Sequence, residues 1–372
     1  TGHSFVSLSG GYPVLFAIAL ALAFGLLLAP VAMQMCRFAG WLDVPGHHKR
    51  HRGEVPLAGG MLIVAAAALA GLVVDPGLRQ TTHFWLGAVM VFAVGFADDR
   101  FPIRARYRFA TQLSAALLFV VLSGVTPTDL GRLFGPFVVP LGMLGLPFAM
   151  IGIAGLTNAF NMIDGLDGLA GGLVLISLSW LLIAFALIAG DVASSSHLVA
   201  SAHQASMVTA VVTGALIAFL LFNQRAPWRG RASMFLGDGG SMLLGYLVAT
   251  LGLYASSAFG QYGMTPVTAA WIAAVPLTDL FSSMLRRALA GETPMTPDRK
   301  HMHHLMLALG LGESGAVVVL QVTALLTGLI GIAGWRLGVP EYWMFWGLIA
   351  LFVVYVTVAR QVWRTVDPEP AR

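Results

Sequence analysis

Two adjacent carboxylates, Asp98 and Asp99, follow an apolar run and precede an arginine-rich segment, residues 100–108. Adjacent carboxylates repel each other unless a cation or a shared proton relieves the repulsion. The pair therefore suggests a site that handles Mg²⁺ or phosphate. The alternative is a solvated loop in which the arginines simply balance the two acids.

A second polar cluster lies in NAFNMIDGLDGLAGG, residues 158–172. On a helix, residues three apart are turned only about 60° from one another, so Asn158, Asn161 and Asp164 would form one polar stripe. Asp167 follows in a glycine-rich turn, where the backbone can approach a ligand closely. Polar side chains at the end of an apolar helix commonly face a cavity or a ligand. The alternative is a helix end at which these side chains only satisfy backbone groups.

A third cluster, FLGDGGSMLLGY, places Asp238 among glycines just before another apolar run. The carboxylate could be a helix N-cap that accepts free backbone N–H groups. It could equally be a ligand of Mg²⁺, because hard cations prefer carboxylate and amide oxygens. The sequence alone leaves both interpretations open.

Two further clusters are basic and rich in histidine. One is TPMTPDRKHMHHLMLALG, residues 293–310, and the other is PGHHKRHRGEVPLAGG, residues 45–60. Zinc is one interpretation of the first cluster, but cationic and imidazole donors directed at phosphates fit it better. The second could bind an anionic headgroup or a pyrophosphate. A plain basic loop beside a membrane is the alternative for both.

The elements that must position these clusters are membrane helices. The chain has 372 residues, of which 58% are hydrophobic and only 10% charged, which excludes a soluble globular enzyme. A span needs about 20 apolar residues, and helices satisfy their own backbone groups in lipid. Eleven apolar runs predict eleven spans, at 12–36, 57–74, 80–97, 109–124, 143–163, 172–189, 205–222, 240–258, 265–284, 316–335 and 340–359. The first run is expected to be an uncleaved span, since no basic segment precedes it.

Charge asymmetry predicts the orientation of these spans. With eleven spans, 18 of the 21 Lys and Arg residues fall on one side, and the other side holds Arg79, Arg132 and Arg336. The positive-inside rule makes the 18-charge side cytoplasmic, with the N-terminus outside and the C-terminus inside. All five polar clusters lie on that side. The fold is therefore expected to be an all-α polytopic membrane protein with one catalytic domain, residues 1–372, and a short cytoplasmic tail, residues 361–372.

Acids for a hard cation and basic groups for oxyanions, gathered at one membrane face, suit phosphoryl transfer. No P-loop or protein-kinase signature is present. A site at the membrane surface further suggests that one substrate is a lipid. A transporter is the competing class, but the polar groups lie at one face rather than at the midplane and no inverted repeat is seen.

The ordered motifs DD, NxxNxxDGxDGL, LGDxGS and PDRxHxHH resemble those of the polyprenyl-phosphate N-acetylhexosamine-1-phosphate transferases, over about residues 40–310. The segments RHRGEVPLAGG and PMTPDRKHMHH look like the WecA-type branch, which uses UDP-GlcNAc. The MraY type carries a His run followed by Glu, and this chain has HMHHLM instead. The resemblance implies a membrane enzyme of the bacterial inner membrane, with its active site on the cytoplasmic face.

The resemblance also implies a role for each matching residue. Catalytic roles fall to Asp98, Asp99, Asp164 and Asp238. Asp238 would be the main ligand of Mg²⁺, with Asn161 or Asp164 beside it and Mn²⁺ as an alternative ion. Substrate-binding roles fall to Lys49, His51, Asn158, Asn161, Asp167, Arg299, His301, His303 and His304.

The implied reaction is attack by undecaprenyl phosphate on UDP-GlcNAc, which gives undecaprenyl-pyrophosphoryl-GlcNAc and UMP, the first step of a lipid-linked surface glycan such as O-antigen. The same chemistry with another UDP-N-acetylhexosamine, or with UDP-MurNAc-pentapeptide, is the alternative. The expected partners are the two substrates and the lipid bilayer, with no nucleic acid. Homodimers are common in the family, and nothing in the sequence requires one.

Overall fold

The computed structural model describes residues 12–43, 54–74, 81–225, 229–293 and 300–366, and most of them are helical. The first helices are α1 (Tyr12–Ala39), α2 (Gly59–Val74), α3 (Thr82–Asp98), α4 (Ala105–Ser123), α5 (Gly145–Ile163), α6 (Leu169–Asp191) and α7 (Ser196–Asn223). The remainder are α8 (Gly237–Ser257), α9 (Pro266–Ile272), α10 (Ala274–Leu289), α11 (Met302–Ala308), α12 (Glu313–Arg336) and α13 (Glu341–Val366). Two short strands, β1 (Leu42–Asp43) and β2 (Val55–Pro56), form an antiparallel pair.

The prediction of an all-α polytopic membrane protein is confirmed. Within the described ranges, seven helices are long and apolar enough to cross a membrane, and the bent pair α9–α10 makes an eighth candidate. The helices α2 and α3 are apolar but shorter. Each predicted run coincides with one helix, except that the ninth run contains both α9 and α10. The number of crossings and their orientation remain predictions.

The break in the ninth run has a local cause. The axes of the two halves differ by 57°, and Pro276 lies in the first turn of α10. Proline has no N–H, so it cannot bond the carbonyl four residues earlier, which here belongs to Ile272. The Ser177 hydroxyl of α6 lies 3.4 Å from that carbonyl and 3.0 Å from the Leu173 carbonyl of its own helix. A neighbouring helix thus places a hydroxyl within reach of the carbonyl that the break leaves without its helical partner, and a backbone group in lipid needs such a neighbour.

The helix α8 lies at the centre of the bundle, with most of its residues buried. Its first turn packs against α2 and α3 through glycines. A Cβ atom on Gly60 would lie 2.7 Å from the backbone nitrogen of Gly240, and one on Gly95 would lie 2.7 Å from the Cα of Gly239. Small residues let helix backbones approach this closely. The glycine at the start of α2 thus lies against the backbone of α8.

The segment before α8 is held by backbone hydrogen bonds to the start of α2. Phe235 donates its N–H to the Pro56 carbonyl at 2.9 Å, and Gly59 donates to the Phe235 carbonyl at 2.9 Å. Gly60 donates to the Leu236 carbonyl at 3.1 Å. These bonds fix the point at which α8 begins, and with it the position of Asp238.

Candidate active site

The carboxylate of Asp99 caps the N-terminus of α8. Its Oδ1 accepts the backbone N–H of Asp238 at 2.8 Å, and its Oδ2 accepts that of Gly239 at 3.3 Å. Free N–H groups at a helix start favour an anion, so this acid occupies the electropositive end of the helix. Burial raises the pKa of the Asp99 carboxyl to about 7; the hydrogen bonds lower it, and the nearby charge of Asp238 adds to the rise. The cap therefore comes from a neighbouring helix rather than from Asp238 itself.

The first acid of the pair holds an arginine. Asp98 accepts the backbone N–H of Ile103 at 2.6 Å and forms an ion pair with Arg108 on α4. The same Arg108 Nη1 lies 3.3 Å from Asp238 Oδ2. One guanidinium thus bridges the carboxylates of α3 and α8. The adjacent acids have different partners, because one faces a cation and the other faces backbone N–H groups.

Asp238 also contacts the end of α5. The Asn161 amide donates to Asp238 Oδ1 at 3.0 Å and to Ser241 Oγ at 2.9 Å. The Asp238 side chain remains 41% exposed, so its carboxylate can reach a ligand. The helix ends of α3, α5 and α8 therefore meet at this residue, as the sequence-based grouping of the acids predicted.

The donor set around Asp238 fits one kind of cation site. Among the described residues, no three or more His, Cys, Asp or Glu side chains are arranged to hold a metal ion. Asp238 and the side-chain amide of Asn161, whose NH2 group donates to Asp238, are too small a set for a protein-only cage. Mg²⁺, however, is commonly held by one or two carboxylates with water and substrate phosphates. Asp238 and Asn161 therefore suit Mg²⁺ only as part of a set that water and a phosphorylated substrate would complete, and a Mg²⁺ site here remains a prediction.

Asp164 ends α5 and lies beside this group. Its side chain is exposed to solvent, yet the ends of the surrounding helices enclose the residue at a longer distance. This enclosure, followed by the charges of Asp238 and Asp99, raises the pKa of the Asp164 carboxyl to about 7. Several acids that disfavour one another's charge form a site where positive charge is stabilised.

The histidine cluster meets the loop after Asp164 through a glycine. The His303 ring contacts Gly165 so closely that a Cβ there would overlap the ring. The His303 ring is buried, and within the described part of the chain its Nδ1 has no hydrogen-bond partner. Burial, followed by the charges of His304 and His301, lowers the pKa of His303 to about 3. His303 is therefore neutral at physiological pH. Its ring packs between the histidine-rich motif and the glycine-rich motif that contains Asp164 and Asp167.

The other two predicted residues of the glycine-rich cluster have structural partners. Asp167 Oδ2 accepts Arg225 Nε at 2.9 Å and the Ala232 N–H at 3.1 Å. Asn158 lies deeper in α5, where it exchanges amide hydrogen bonds with the buried Gln112 of α4. Asp167 thus ties its loop to the segment after α7, and Asn158 ties α5 to α4.

Sequence reasoning missed one buried acid. Asp279 lies inside the ninth apolar run, and its side chain is only 1% exposed. Its Oδ2 lies 2.9 Å from His301 Nδ1, and its Oδ1 accepts the Met302 N–H at 2.7 Å. An ionisable residue within an apolar span is itself a functional signal, and that signal could have singled it out. Arg108 was also passed over, as one of several loop arginines.

Several predicted site residues lie outside the described ranges. Lys49 and His51 fall between residues 43 and 54, and Arg299 falls between residues 293 and 300. His304 follows His303 in α11, with the two ring centroids 4.2 Å apart. The roles predicted for these residues remain predictions.

Comparison with known proteins decides the family. The model of glycosyl transferase family 4 matches residues 81–256, which carry the three acidic motifs. The undecaprenyl-phosphate alpha-N-acetylglucosaminyl 1-phosphate transferase of Yersinia pestis is 32% identical over 341 residues, covering 90% of this chain and 88% of the relative. The chain belongs to this glycosyl transferase family.

Two further relatives of this glycosyl transferase family carry the same name. The protein from Haemophilus influenzae is 33% identical, covering 91% of this chain and 92% of the relative. The one from Escherichia coli K12 is 30% identical, covering 90% of this chain and 87% of the relative. The resemblance stated from the four motifs is confirmed. These similarities extend well beyond residues 81–256, so they are not confined to the acidic motifs.

Proposed function

We propose that this chain transfers N-acetylglucosamine 1-phosphate from UDP-GlcNAc to undecaprenyl phosphate. The product is undecaprenyl-pyrophosphoryl-GlcNAc, and UMP is released. The observation that carries the proposal is the meeting of three helix ends at Asp238, in a chain whose relatives are named for this reaction. Carboxylates and a guanidinium in contact at one end of a membrane bundle suit a lipid phosphate and a nucleotide diphosphate.

The reaction is a single displacement at phosphorus. An oxygen of the lipid phosphate bonds to the β-phosphorus of UDP-GlcNAc, and the bond from that phosphorus to the bridging oxygen breaks. A phosphate monoester has its second pKa near 6, so at neutral pH the nucleophile is mostly a dianion. Both the lipid phosphate and the departing UMP then carry two negative charges, and the displacement needs no proton transfer.

The acidic pair acts by organising charge. Both oxygens of Asp98 and both of Asp99 already accept hydrogen bonds or an ion pair. These contacts hold the two carboxylates in place, and the dianionic lipid phosphate can attack directly without a phospho-enzyme. Asp98 orients Arg108, whose guanidinium would offset the negative charge of the donor phosphates.

Asp238 and Asn161 would hold Mg²⁺ in this site. When bound, the ion offsets charge that develops on the departing UMP. The Ser241 hydroxyl keeps the Asn161 amide oriented toward Asp238. Asp164 faces the same space from the end of α5 and would contact the donor or the water around the ion.

The reaction is proposed to occur at the cytoplasmic face of a bacterial inner membrane. The distribution of Lys and Arg supports this orientation, since the residues of the site lie on the side that holds 18 of the 21 basic residues. UDP-sugars are cytoplasmic donors, and the apolar helices keep the site at the membrane surface. A lipid acceptor can reach that surface from the bilayer.

The test is UMP release by the purified chain in detergent with undecaprenyl phosphate, Mg²⁺ and UDP-GlcNAc. We expect UMP only when all three are present. Reactions without lipid, with EDTA, or with UDP-MurNAc-pentapeptide are the controls. UMP from another UDP-N-acetylhexosamine alone would keep the chemistry and change the sugar, and no UMP from any such donor would reject the proposal.

A separate measurement tests single displacement. Radiolabelled UMP is incubated with the enzyme and UDP-GlcNAc in the absence of lipid. A phospho-enzyme would exchange label into UDP-GlcNAc, because its formation is reversible without the acceptor. We expect no exchange without lipid.

A further inference from the structure

The carboxylate of Asp279 is buried within α10, the second half of the bent pair. Its side chain is 1% exposed, in the broken ninth run. A carboxylate at such a position is costly unless partners compensate for the water it has lost. The described partners are the Met302 N–H at 2.7 Å and His301 Nδ1 at 2.9 Å. Both lie at the start of α11, so the acid acts on that segment.

One of these contacts has a purely structural explanation. Met302 is the first residue of α11, and its N–H has no partner within the helix. A neutral acceptor would satisfy that group as well as an acid does. The backbone bond alone therefore does not explain a buried charge.

The contact with His301 defines which nitrogen of its imidazole carries the proton. A carboxylate oxygen accepts a hydrogen bond, so Nδ1 of His301 carries the proton and the other nitrogen, Nε2, is the one that can meet a ligand. The Ser283 hydroxyl lies 3.4 Å from the same Nδ1 and helps to hold the ring. Carboxylates orient catalytic and ligand-binding histidines in this way in many sites.

The His301 ring is connected to the rest of the site by the ring of His303. The rings of His301 and His303 are stacked, with centroids 6.0 Å apart and planes 8° from parallel. The His303 ring in turn contacts Gly165, between Asp164 and Asp167. The order Asp279, His301, His303, Gly165 thus runs from the broken helix to the acidic loop.

We propose that Asp279 is a positioning residue that fixes the His301 imidazole with Nε2 directed at the nucleotide-sugar donor. This inference rests on the proposed function, because the donor is the ligand that His301 would meet. It assigns a role to an acid that lies outside all four motifs and outside both basic clusters. Asp279 itself touches no substrate in this arrangement and acts through the histidine.

The test is a double-mutant cycle on the full chain in detergent. Steady-state UMP release is measured for the wild type, Asp279→Asn, His301→Gln and the double variant. Asn keeps the shape of the side chain but can present its amide N–H to Nδ1, which favours the wrong tautomer. We expect each single change to lower kcat by about 100-fold, the scale of a lost acid–base or hydrogen-bonding group. The KM for UDP-GlcNAc should move by less than about 3-fold.

The double variant decides whether Asp279 acts through His301. If it does, the double variant is as active as the less active of the two single variants, since the effects of residues that act as a unit are not additive. Losses that multiply would overturn the inference, as would an Asp279→Asn enzyme within about 2-fold of the wild type. Ser282→Ala is the matched control, because that buried hydroxyl bonds the Asp279 backbone carbonyl and has no described contact with His301.

A folding defect is separated by a second variant. Melting temperatures are measured for all variants, and Asp279→Glu is compared with Asp279→Asn. Recovery of turnover by Glu, at a melting temperature no higher than that of Asn, supports positioning by the carboxylate. Failure of Glu to recover any turnover over Asn, together with a shared melting defect, indicates a structural role and overturns the inference. A wild-type enzyme that releases no UMP instead rejects the proposed function, and the inference falls with it.

Discussion

The carboxylate of Asp99 and the backbone N–H of Asp238 meet at 2.8 Å, across two helices that are far apart in sequence. Asp99 therefore holds the backbone at Asp238, the residue whose side chain is available to a ligand. Asp98, its neighbour, holds Arg108 instead. The adjacent acids thus position the two groups that border the same space, a carboxylate and a guanidinium.

Asp99→Asn should damage catalysis more than binding. The amide keeps one acceptor oxygen but loses the charge that faces the start of α8, an interaction of about 0.3–1 kcal/mol when exposed and more when buried. We expect kcat to fall by about 100-fold or more and the Kd for UDP-GlcNAc to change by less than about 3-fold. UMP release and calorimetric titration measure the two. An equal loss in both would show that Asp99 serves nucleotide binding.

Asp238→Asn should remove turnover and weaken its dependence on Mg²⁺. The variant keeps the side-chain volume while withdrawing the exposed carboxylate of the proposed cation site, so we expect at least about a 1,000-fold loss, on the order of metal-dependent steps. A Mg²⁺ titration of UMP release is the measurement. Asp191→Asn is the control, because Asp191 pairs with Arg336 away from the site. Normal kinetics for Asp238→Asn would exclude it as a ligand.

Gly165→Ala should disturb the contact between the two motifs that meet at His303. The added methyl group overlaps a ring that is buried and has little room to move. Overpacking of this kind costs about 1–3 kcal/mol. We expect a lower melting temperature in detergent together with slower UMP release.

Gly152→Ala is the matched control for that change. A Cβ on Gly152 meets no described atom within 4 Å. In the interior of α5, alanine should leave stability unchanged or raise it, by up to about 1 kcal/mol. Equal effects of the two substitutions would contradict the packing argument.

Ser177→Ala should destabilise the broken ninth run. Its hydroxyl lies 3.4 Å from the Ile272 carbonyl, which Pro276 leaves without its helical partner, and 3.0 Å from the Leu173 carbonyl of its own helix. Leaving a buried acceptor unpaired costs about 1–3 kcal/mol. Thermal unfolding in detergent measures the loss. Ser179→Ala is the control, since among the described residues that exposed hydroxyl bonds the Leu175 carbonyl of its own helix and no other group. A similar loss in both variants would refute the assignment.

Arg132→Gln tests the predicted topology. Arg132 is exposed and lies on the side opposite to the acidic motifs in the eleven-span arrangement. We expect UMP release within about 2-fold of the wild type, as for a surface substitution far from a site. A large loss, without a fall in melting temperature, would place this arginine near the chemistry and would contradict the arrangement.

The sequence predicted the positions of the helices because apolar runs report burial in lipid directly. It also predicted that Asp98, Asp99, Asn161 and Asp238 belong together, since polar groups at span ends on one side must meet at one face. The ninth run shows the limit of this approach. Hydropathy is the same for a straight helix and for one that bends at Ala273, and only the proline hints at the break.

The partners of the acids could not be predicted from spacing. Asp238 was expected to be either a cap or a ligand, and the cap is in fact supplied by Asp99 from another helix. Asn158 belongs to the predicted polar stripe, yet its amide is paired with Gln112. Such pairings depend on how the helices cross, and the crossing follows from backbone contacts that a single sequence does not display.

The glycine contacts at the start of α8 bear on how this protein could be stabilised for study. Membrane enzymes are often made more robust by replacing residues one at a time with alanine and keeping the variants that survive heating. At Gly60, Gly95, Gly239 and Gly240 such a scan would push three backbones apart. A scan should therefore leave these positions untouched, because any gain in helix propensity there would be outweighed by displacement of the carboxylates that the same turn supports.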